Sequence, residues 1–95
     1  MDVSFEWDPK KAAANRRKHG VAFEEAILVF GDPLARIFDD PDHSGSEPRE
    51  LIVGHCTRRR LLVICFVQRG DRIRIFNARR ATRQERRDYE EGTTS

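Results

Sequence analysis

The sequence predicts an α+β domain, with an antiparallel sheet of about four to five strands, two N-terminal helices and one C-terminal helix. Two observations support this class. Helix signals occupy the two ends of the chain, and short apolar runs separated by turn residues occupy its middle. A chain of 95 residues has room for one hydrophobic core, so we expect residues 1–95 to form a single domain. The expected order is β-α-α-β-β-β-β-α.

The first third of the chain predicts a strand and two helices. Ser4–Trp7 is a short strand candidate, and a helix is expected over Pro9–His19. Asp8 provides an N-cap before the proline, and Gly20 provides the C-terminal stop. A second helix is expected because apolar residues recur at helical spacing. These residues are Phe23, Ala26, Ile27 and Phe30.

From residue 35 onward the pattern is typical of strands. Four strands are expected, at Ala35–Phe38, Leu51–Val53, Leu61–Val67 and Arg72–Phe76, with a polar loop at Asp39–Pro48. Leu61–Val67 is apolar without alternation, which predicts a central strand covered on both faces. Short turns between the strands favour antiparallel pairing. Thr82 and Glu85 form a capping box, so the last helix is expected to run from Thr82 to about Glu91.

The net charge of +2 conceals a strong asymmetry between the halves of the chain. Residues 1–55 hold seven Lys or Arg against eleven Asp or Glu, whereas residues 56–95 hold eleven Arg, no Lys and five acids. Arginine suits bidentate contact with phosphate and stacking on bases. The basic half therefore indicates a polyanionic partner such as nucleic acid, although a solvated charged face would give the same pattern.

Several functional classes are disfavoured. No apolar run is long enough to span a membrane and no signal peptide is present, so a cytoplasmic protein is expected. If Leu51–Cys56 and Leu61–Val67 pair as a hairpin, Cys56 faces Leu61 and Cys65 faces Ile52, too far apart for a disulfide. No metal-ligand spacing and no cofactor-binding motif is present, so neither a metal nor a cofactor is expected.

Cleavage of RNA without a metal needs a base, an acid and cations around one phosphate. Arg79 and Arg80 are the first candidates, because they end the last strand beside the N-terminus of a helix, where anions bind. The structural alternative is an ion pair between Arg79 and Glu85 that pins strand to helix. His19, with Lys18 beside it, is a candidate acid or base, but a histidine in the last turn of a helix often only caps carbonyls.

A third candidate cluster precedes the strand at Leu51. Glu47 and Arg49 point the same way on an extended segment, which suits a base beside a phosphate-binding cation, although a surface salt bridge is the commoner outcome. The predicted catalytic set is Arg79, Arg80, Glu47, Arg49 and His19. The predicted RNA-binding set is Lys18, Arg58, Arg59, Arg72 and Arg74.

Taken together, these segments resemble the BrnT toxin family. The N-terminal resemblance is carried by Phe5-Glu6-Trp7-Asp8-Pro9-Lys10-Lys11, by Asn15 and Lys18-His19-Gly20-Val21, and by Phe23-Glu24-Glu25-Ala26. In the middle it is carried by Glu47, Arg49 and Gly54, and near the other end by Arg74 to Thr82, Glu85-Arg86 and Tyr89-Glu90. This sequence departs from the family pattern at two places. Ala22 replaces the usual Ser or Thr, so the second helix loses a side-chain cap, and Phe76-Asn77 replaces a smaller Ile-Ser, which alters the packing expected for that strand.

The resemblance implies a RelE-like toxin of a bacterial type II toxin–antitoxin system, which cleaves RNA without a metal and is neutralised by a small antitoxin. It also implies that the toxin–antitoxin complex binds its own promoter DNA through the antitoxin. The arginine-rich half would suit an antitoxin that covers it with acidic side chains. Two alternatives remain open: a ParE-like toxin that binds a target protein without cutting RNA, and a nucleic-acid-binding regulatory module without enzymatic activity.

Overall fold

The predicted order of helices and strands is confirmed in the computed structural model, which describes residues 3–41, 47–57 and 59–94. The first half holds β1 (Ser4–Glu6), α1 (Pro9–His19), α2 (Phe23–Ile27), a short 3₁₀ helix (Leu28–Gly31) and β2 (Arg36–Asp39). The second half holds β3 (Glu50–His55), β4 (Leu61–Arg69), β5 (Arg72–Arg80) and α3 (Arg83–Thr94). No helix in the described ranges is long and apolar enough to cross a membrane.

The helix ends follow the predicted signals. Asp8 caps α1, with its Oδ1 accepting a hydrogen bond from the backbone N–H of Lys10 at 2.9 Å. Gly20 ends the same helix in the left-handed conformation, at φ 69°, which glycine adopts without strain. Ala22 is the N-cap of α2 and supplies no side-chain hydrogen bond, as its replacement of Ser or Thr predicts. The second helix has only five residues before the 3₁₀ turn replaces it.

The expectation of an antiparallel sheet is wrong at one edge. The strand order is β1-β5-β4-β3-β2, and all neighbours are antiparallel except β1 and β5. These two run parallel, with Phe5 opposite Ile73. The prediction fails because most of the chain separates β1 from β5, so no hairpin turn dictates their relative direction. The α+β class is confirmed, with a mixed sheet.

β4 is the central strand, as its unbroken apolar run predicts, and it is buried from Leu61 to Val67. The predicted register of its hairpin with β3 was wrong by one position, because Cys65 lies opposite Leu51 and His55 lies opposite Leu61. Both cysteines are free and buried.

The sheet separates two apolar layers. The larger layer lies under α1 and α2 and includes Phe23, Ile64 and Phe66. The smaller layer lies under α3, where Tyr89 packs against Val63 and neighbouring residues. Near the C-terminal end of β5, α1 lies along the edge of the strand and α3 is bonded to it through Arg79 and Glu85.

A β-bulge interrupts β5. Ile75 lies opposite Phe66 and Asn77 lies opposite Cys65, which leaves Phe76 as an extra residue without a partner in β4. The bulge resets the alternation of the strand: Ile73 and Ile75 face the α1 layer, and so does Ala78 three positions later. Because of this reset, Arg79 points to the α3 side of the sheet.

Candidate nucleic-acid interface

The candidate site lies where β5 loses its strand neighbour. β1 pairs only with Arg72 to Arg74, and beyond that point α1 lies along the exposed edge of β5. Asn15 of α1 takes the place of a neighbouring strand there. Its Nδ2 donates to the carbonyl of Ala78 at 2.8 Å, and its Oδ1 accepts from the Ala78 N–H at 3.0 Å. The same Nδ2 donates to the carbonyl of Val21 at 2.9 Å, so both N–H groups and the oxygen of this buried amide have hydrogen-bond partners.

An open groove of about 410 Å³ follows this junction between α1 and β5. Its lining includes three cations, one imidazole, two amides and one aromatic ring: Lys11, Lys18, Arg79, His19, Asn15, Asn77 and Phe76, with Ala14. Three residues predicted from sequence, Lys18, His19 and Arg79, meet in this groove although they come from opposite ends of the chain. The groove therefore presents positive charge beside an imidazole, a side chain that can act as a general acid or base.

Arg79 also holds β5 to α3. Its two guanidinium nitrogens donate to the two carboxylate oxygens of Glu85 at 2.7 and 2.9 Å, so the predicted structural pair is present. Glu85 completes the capping box as well, because its Oε1 accepts from the N–H of Thr82 at 2.8 Å and its own N–H donates to the Thr82 hydroxyl at 3.1 Å. The hydrogen bonds from Arg79, followed by those from Thr82, lower the pKa of Glu85 to about 2 against the opposing effect of burial. Arg79 is therefore held rigidly at the groove.

The extra residue of the bulge forms an aromatic platform. The guanidinium of Arg49 lies 3.8 Å from the centre of the Phe76 ring, and the Lys11 ammonium lies 5.6 Å from it. Both distances are within the range of cation–π contact. Arg49, which immediately precedes β3, therefore lies beside the groove through its contact with this ring. The departure from the family pattern at Phe76 thus lies inside the site.

Glu47 does not accompany Arg49 into the groove. Both of its carboxylate oxygens are bonded to the guanidinium of Arg69, in a bidentate ion pair at the exposed end of β4. This hydrogen bonding, together with the nearby charges of Arg69, Arg49 and Arg74, lowers the pKa of Glu47 against the opposing effect of desolvation. Glu47 therefore forms a surface salt bridge, the alternative to a catalytic base that the sequence left open.

The remaining predicted cations divide between the two ends of β5. Arg74 donates to Glu6 at 2.8 Å, and Arg72 lies 4.0 Å from the same carboxylate, so both belong to the end near β1. Arg59 and Arg80 lie at the other end, around a separate depression. Arg58 lies outside the described residues. The predicted RNA-binding set is therefore not one continuous patch.

A second polar network lies on the far side of the sheet, around Asp32. Its Oδ2 accepts from the N–H of His55 at 2.8 Å and from the hydroxyl of Tyr89 at 3.0 Å, while Oδ1 accepts from the N–H of Leu34. Burial would raise the pKa of Asp32, but these hydrogen bonds outweigh it and lower the pKa. The network ties α3 to β3, and among the described residues no Lys or Arg lines the depression beside Asp32 and His55.

Four polar or aromatic residues of the groove were not predicted from sequence: Lys11, Asn15, Phe76 and Asn77. Asn15 could have been found, because Ala12, Asn15 and His19 share one face of α1 at spacings of three and four. Phe76 could not, because its place in the groove depends on a bulge that the alternation in Arg72–Ile75 does not reveal. No cluster of three or more His, Cys, Asp or Glu side chains that could hold a metal ion occurs in residues 3–41, 47–57 and 59–94.

Comparison with known proteins identifies a family and a related fold. Residues 7–85 match the family model described as the ribonuclease toxin, BrnT, of type II toxin–antitoxin systems. The crystal structure of the Brucella abortus ribonuclease toxin, BrnT, is similar, with a TM-score of 0.63 and 20% sequence identity. That similarity covers 87% of this chain and 99% of the Brucella chain, and at this identity it shows the fold alone. No curated protein sequence gives a significant match.

Proposed function

Because the chain belongs to the BrnT family of ribonuclease toxins of type II toxin–antitoxin systems, we propose that it cuts cellular RNA within the strand, and thereby inhibits translation and growth. The cut is made without a metal ion, in the groove between α1 and β5, by one RelE-like domain spanning residues 1–95. The observation that carries this proposal is the groove lining itself, where His19 lies with Lys11, Lys18 and Arg79 beside the ring of Phe76.

The chemistry needs no nucleophile from the protein, because the 2′-hydroxyl of the ribose attacks the adjacent phosphorus. His19 takes the proton from that hydroxyl as the P–O2′ bond forms. The P–O5′ bond then breaks, and the leaving oxygen takes a proton from the ammonium of Lys18. The products are a 2′,3′-cyclic phosphate and a free 5′-hydroxyl. Arg79 and Lys11 stabilise the negative charge that gathers on the non-bridging oxygens.

The groups around the groove hold the substrate. A base stacks on the layer formed by Phe76 and Arg49, because an aromatic ring and a guanidinium plane both accept stacked bases. Arg80 follows Arg79 at the end of the strand and adds positive charge for the RNA backbone. Glu47 is bonded to Arg69 and lines no part of the groove, so His19 takes the role of base that the sequence also allowed for Glu47.

A cognate antitoxin neutralises the toxin in this proposal. Its acidic side chains cover the arginine-rich surface and exclude RNA, and the complex binds promoter DNA through the antitoxin. Crosslinking of the complex should therefore map the antitoxin onto residues 59–80, and crosslinks that avoid this segment would contradict the proposal.

The test is cleavage of end-labelled RNA in EDTA by antitoxin-free protein. Wild-type protein should leave 2′,3′-cyclic phosphate ends, and His19→Gln should cleave about 100-fold more slowly, the lower end of what a proton-transfer group contributes. His55→Gln is the matched control, since His55 lies with Asp32 outside the groove, and it should stay within about threefold of wild type.

Three results would contradict the proposal. Equal loss in the two histidine variants would remove His19 from the chemistry. Cleavage abolished by EDTA and restored by magnesium would exclude a metal-independent reaction. A wild-type protein that is toxic in cells but never cuts RNA would instead support a toxin that binds a target protein.

A further inference from the structure

A second basic depression lies at the end of β5, beyond the groove. It has a volume of about 190 Å³ and is lined by four arginines and two apolar residues: Arg59, Arg60, Arg80, Arg86, Leu61 and Ala81. These residues come from the β3–β4 turn, from the strand ends and from the first turns of α3. No carboxylate lines the depression in the part of the chain that the structure describes.

Most of the positive charge in this depression is unpaired. Arg60 is bonded to both carboxylate oxygens of Glu25, so its charge is neutralised. Arg59 and Arg80 are exposed and have no carboxylate within 4.0 Å among the described residues. Arg86 lies 4.0 Å from the carboxylate of Glu90, and on an exposed helix surface such an ion pair is weak. Guanidinium groups gathered without acids are suited to an anion from outside the chain.

The backbone at Arg59 supports a role for its side chain. Arg59 has φ 63°, the left-handed conformation, and it is the only residue other than glycine with positive φ in the described ranges. Its N–H donates to the carbonyl of Cys56 at 3.0 Å, and the Cys56 N–H donates to the carbonyl of Arg60 at 3.1 Å, so the turn enforces this conformation. Glycine would adopt it without strain. A bulky side chain held there is a strained feature of the kind found at functional sites.

We propose that Arg59, Arg80 and Arg86 form a second phosphate-binding site, which holds the RNA backbone away from the point of cleavage. The inference rests on the proposed function for the identity of the ligand. Arg79 lines the groove and Arg80, the next residue, lines the depression, so the two sites lie next to each other on β5. From Asn77 to Arg80 the strand advances about 10 Å, at roughly 3.3 Å per residue. The preferred substrate is therefore a single strand of several nucleotides, and a dinucleotide fills only the groove.

The test measures binding of 2′-deoxy oligonucleotides, which cannot be cleaved by attack of a 2′-hydroxyl, by fluorescence anisotropy. The double variant Arg59→Gly/Arg86→Ala should lose about tenfold in affinity for an octanucleotide. Its affinity for a dinucleotide should change less than about twofold. The salt dependence of octanucleotide binding should become shallower by about 0.7 in log–log slope for each phosphate that the variant no longer binds. Arg83→Ala/Arg87→Ala is the matched control, since it removes two exposed arginines of α3 that do not line the depression.

Folding is checked separately from binding. Arg59→Gly relieves the positive φ, so this single variant should melt at or above the temperature of wild type while it loses octanucleotide affinity. The inference is overturned if both oligonucleotides lose affinity equally, if the control loses as much as the test variant, or if wild type binds the octanucleotide no more tightly than the dinucleotide. Because neither oligonucleotide can be cut, absence of ribonuclease activity would reject the proposed function without affecting this result.

Discussion

Replacement of Asn15 by alanine should be the most destabilising polar substitution in α1. The side chain makes three hydrogen bonds in a buried position, two to Ala78 and one to Val21, with lengths of 2.8 to 3.0 Å. The backbone N–H and C=O of Ala78 have no strand partner on that side, so alanine leaves both without a partner. Removal of each hydrogen bond costs about 1 kcal/mol net, and unsatisfied buried groups cost more.

The expected loss is therefore about 3 kcal/mol in the free energy of unfolding. This is a large share of the roughly 5 to 15 kcal/mol available to a domain of ordinary stability. Urea unfolding followed by circular dichroism would measure it. With a slope near 1.5 kcal/mol per molar, the midpoint should fall by about 2 M. Asn77→Ala is the matched control, because Asn77 is exposed on the same strand and should shift stability by less than about 0.5 kcal/mol.

A loss below about 1 kcal/mol for Asn15→Ala would refute this reasoning. It would mean that water replaces the amide, and that packing of α1 rather than hydrogen bonding holds the edge of β5. Asn15→Asp provides a second check. A carboxylate cannot donate to the carbonyls of Ala78 and Val21, so this variant should be less stable than wild type at pH 7 and should recover part of the difference in acid.

Two further predictions concern the ion pair and the aromatic platform. The pKa of Glu85 lies at about 2, below its usual 4.5, so its pairing with Arg79 stabilises the fold above pH 4.5 and is lost as the pH falls toward 2. After allowance for solvent screening of this partly exposed pair, we expect about 1–2 kcal/mol, and urea unfolding at pH 7 and pH 3 should show that Glu85→Gln removes this part of the acid sensitivity. Phe76→Ala should weaken binding of a non-cleavable oligonucleotide by at least about fivefold, because a stacked base contributes roughly 1–3 kcal/mol. Phe76→Trp should preserve the affinity, and equal losses in both variants would show that no base stacks there.

Local signals predicted the helices and strands well. The pair Asp8-Pro9, the stop at Gly20 and the capping box of Thr82 and Glu85 each act through the backbone of the same helix end, so a few neighbouring residues suffice to specify them. The central position of β4 could also be predicted from the sequence, because burial on both faces requires an unbroken apolar run.

The arrangement of the strands at the sheet edge could not be predicted from such local signals. The direction of β1 and the bulge at Phe76 both depend on contacts between residues far apart in the chain. The site inherits this difficulty. His19 and Arg79 could each be proposed from the sequence, but only the packing of α1 against β5 brings them together. The sequence also could not show that Arg79 pairs with Glu85 and that Glu47 pairs with Arg69, because these pairs depend on which side chains the fold brings within hydrogen-bonding distance.

The bulge frees the side chain at residue 76 from the packing against the core that a regular strand would impose on it. Phe76 has no partner in β4, so its side chain can change size without forcing Ile75 or Ala78 to repack against the larger core. If a base stacks on Phe76 as proposed, a mutation at this position alters which bases the protein prefers while the hydrophobic layers stay intact. On the proposed function, residue 76 is therefore a position where substitutions cost little stability and where RNA specificity can evolve while the architecture is retained.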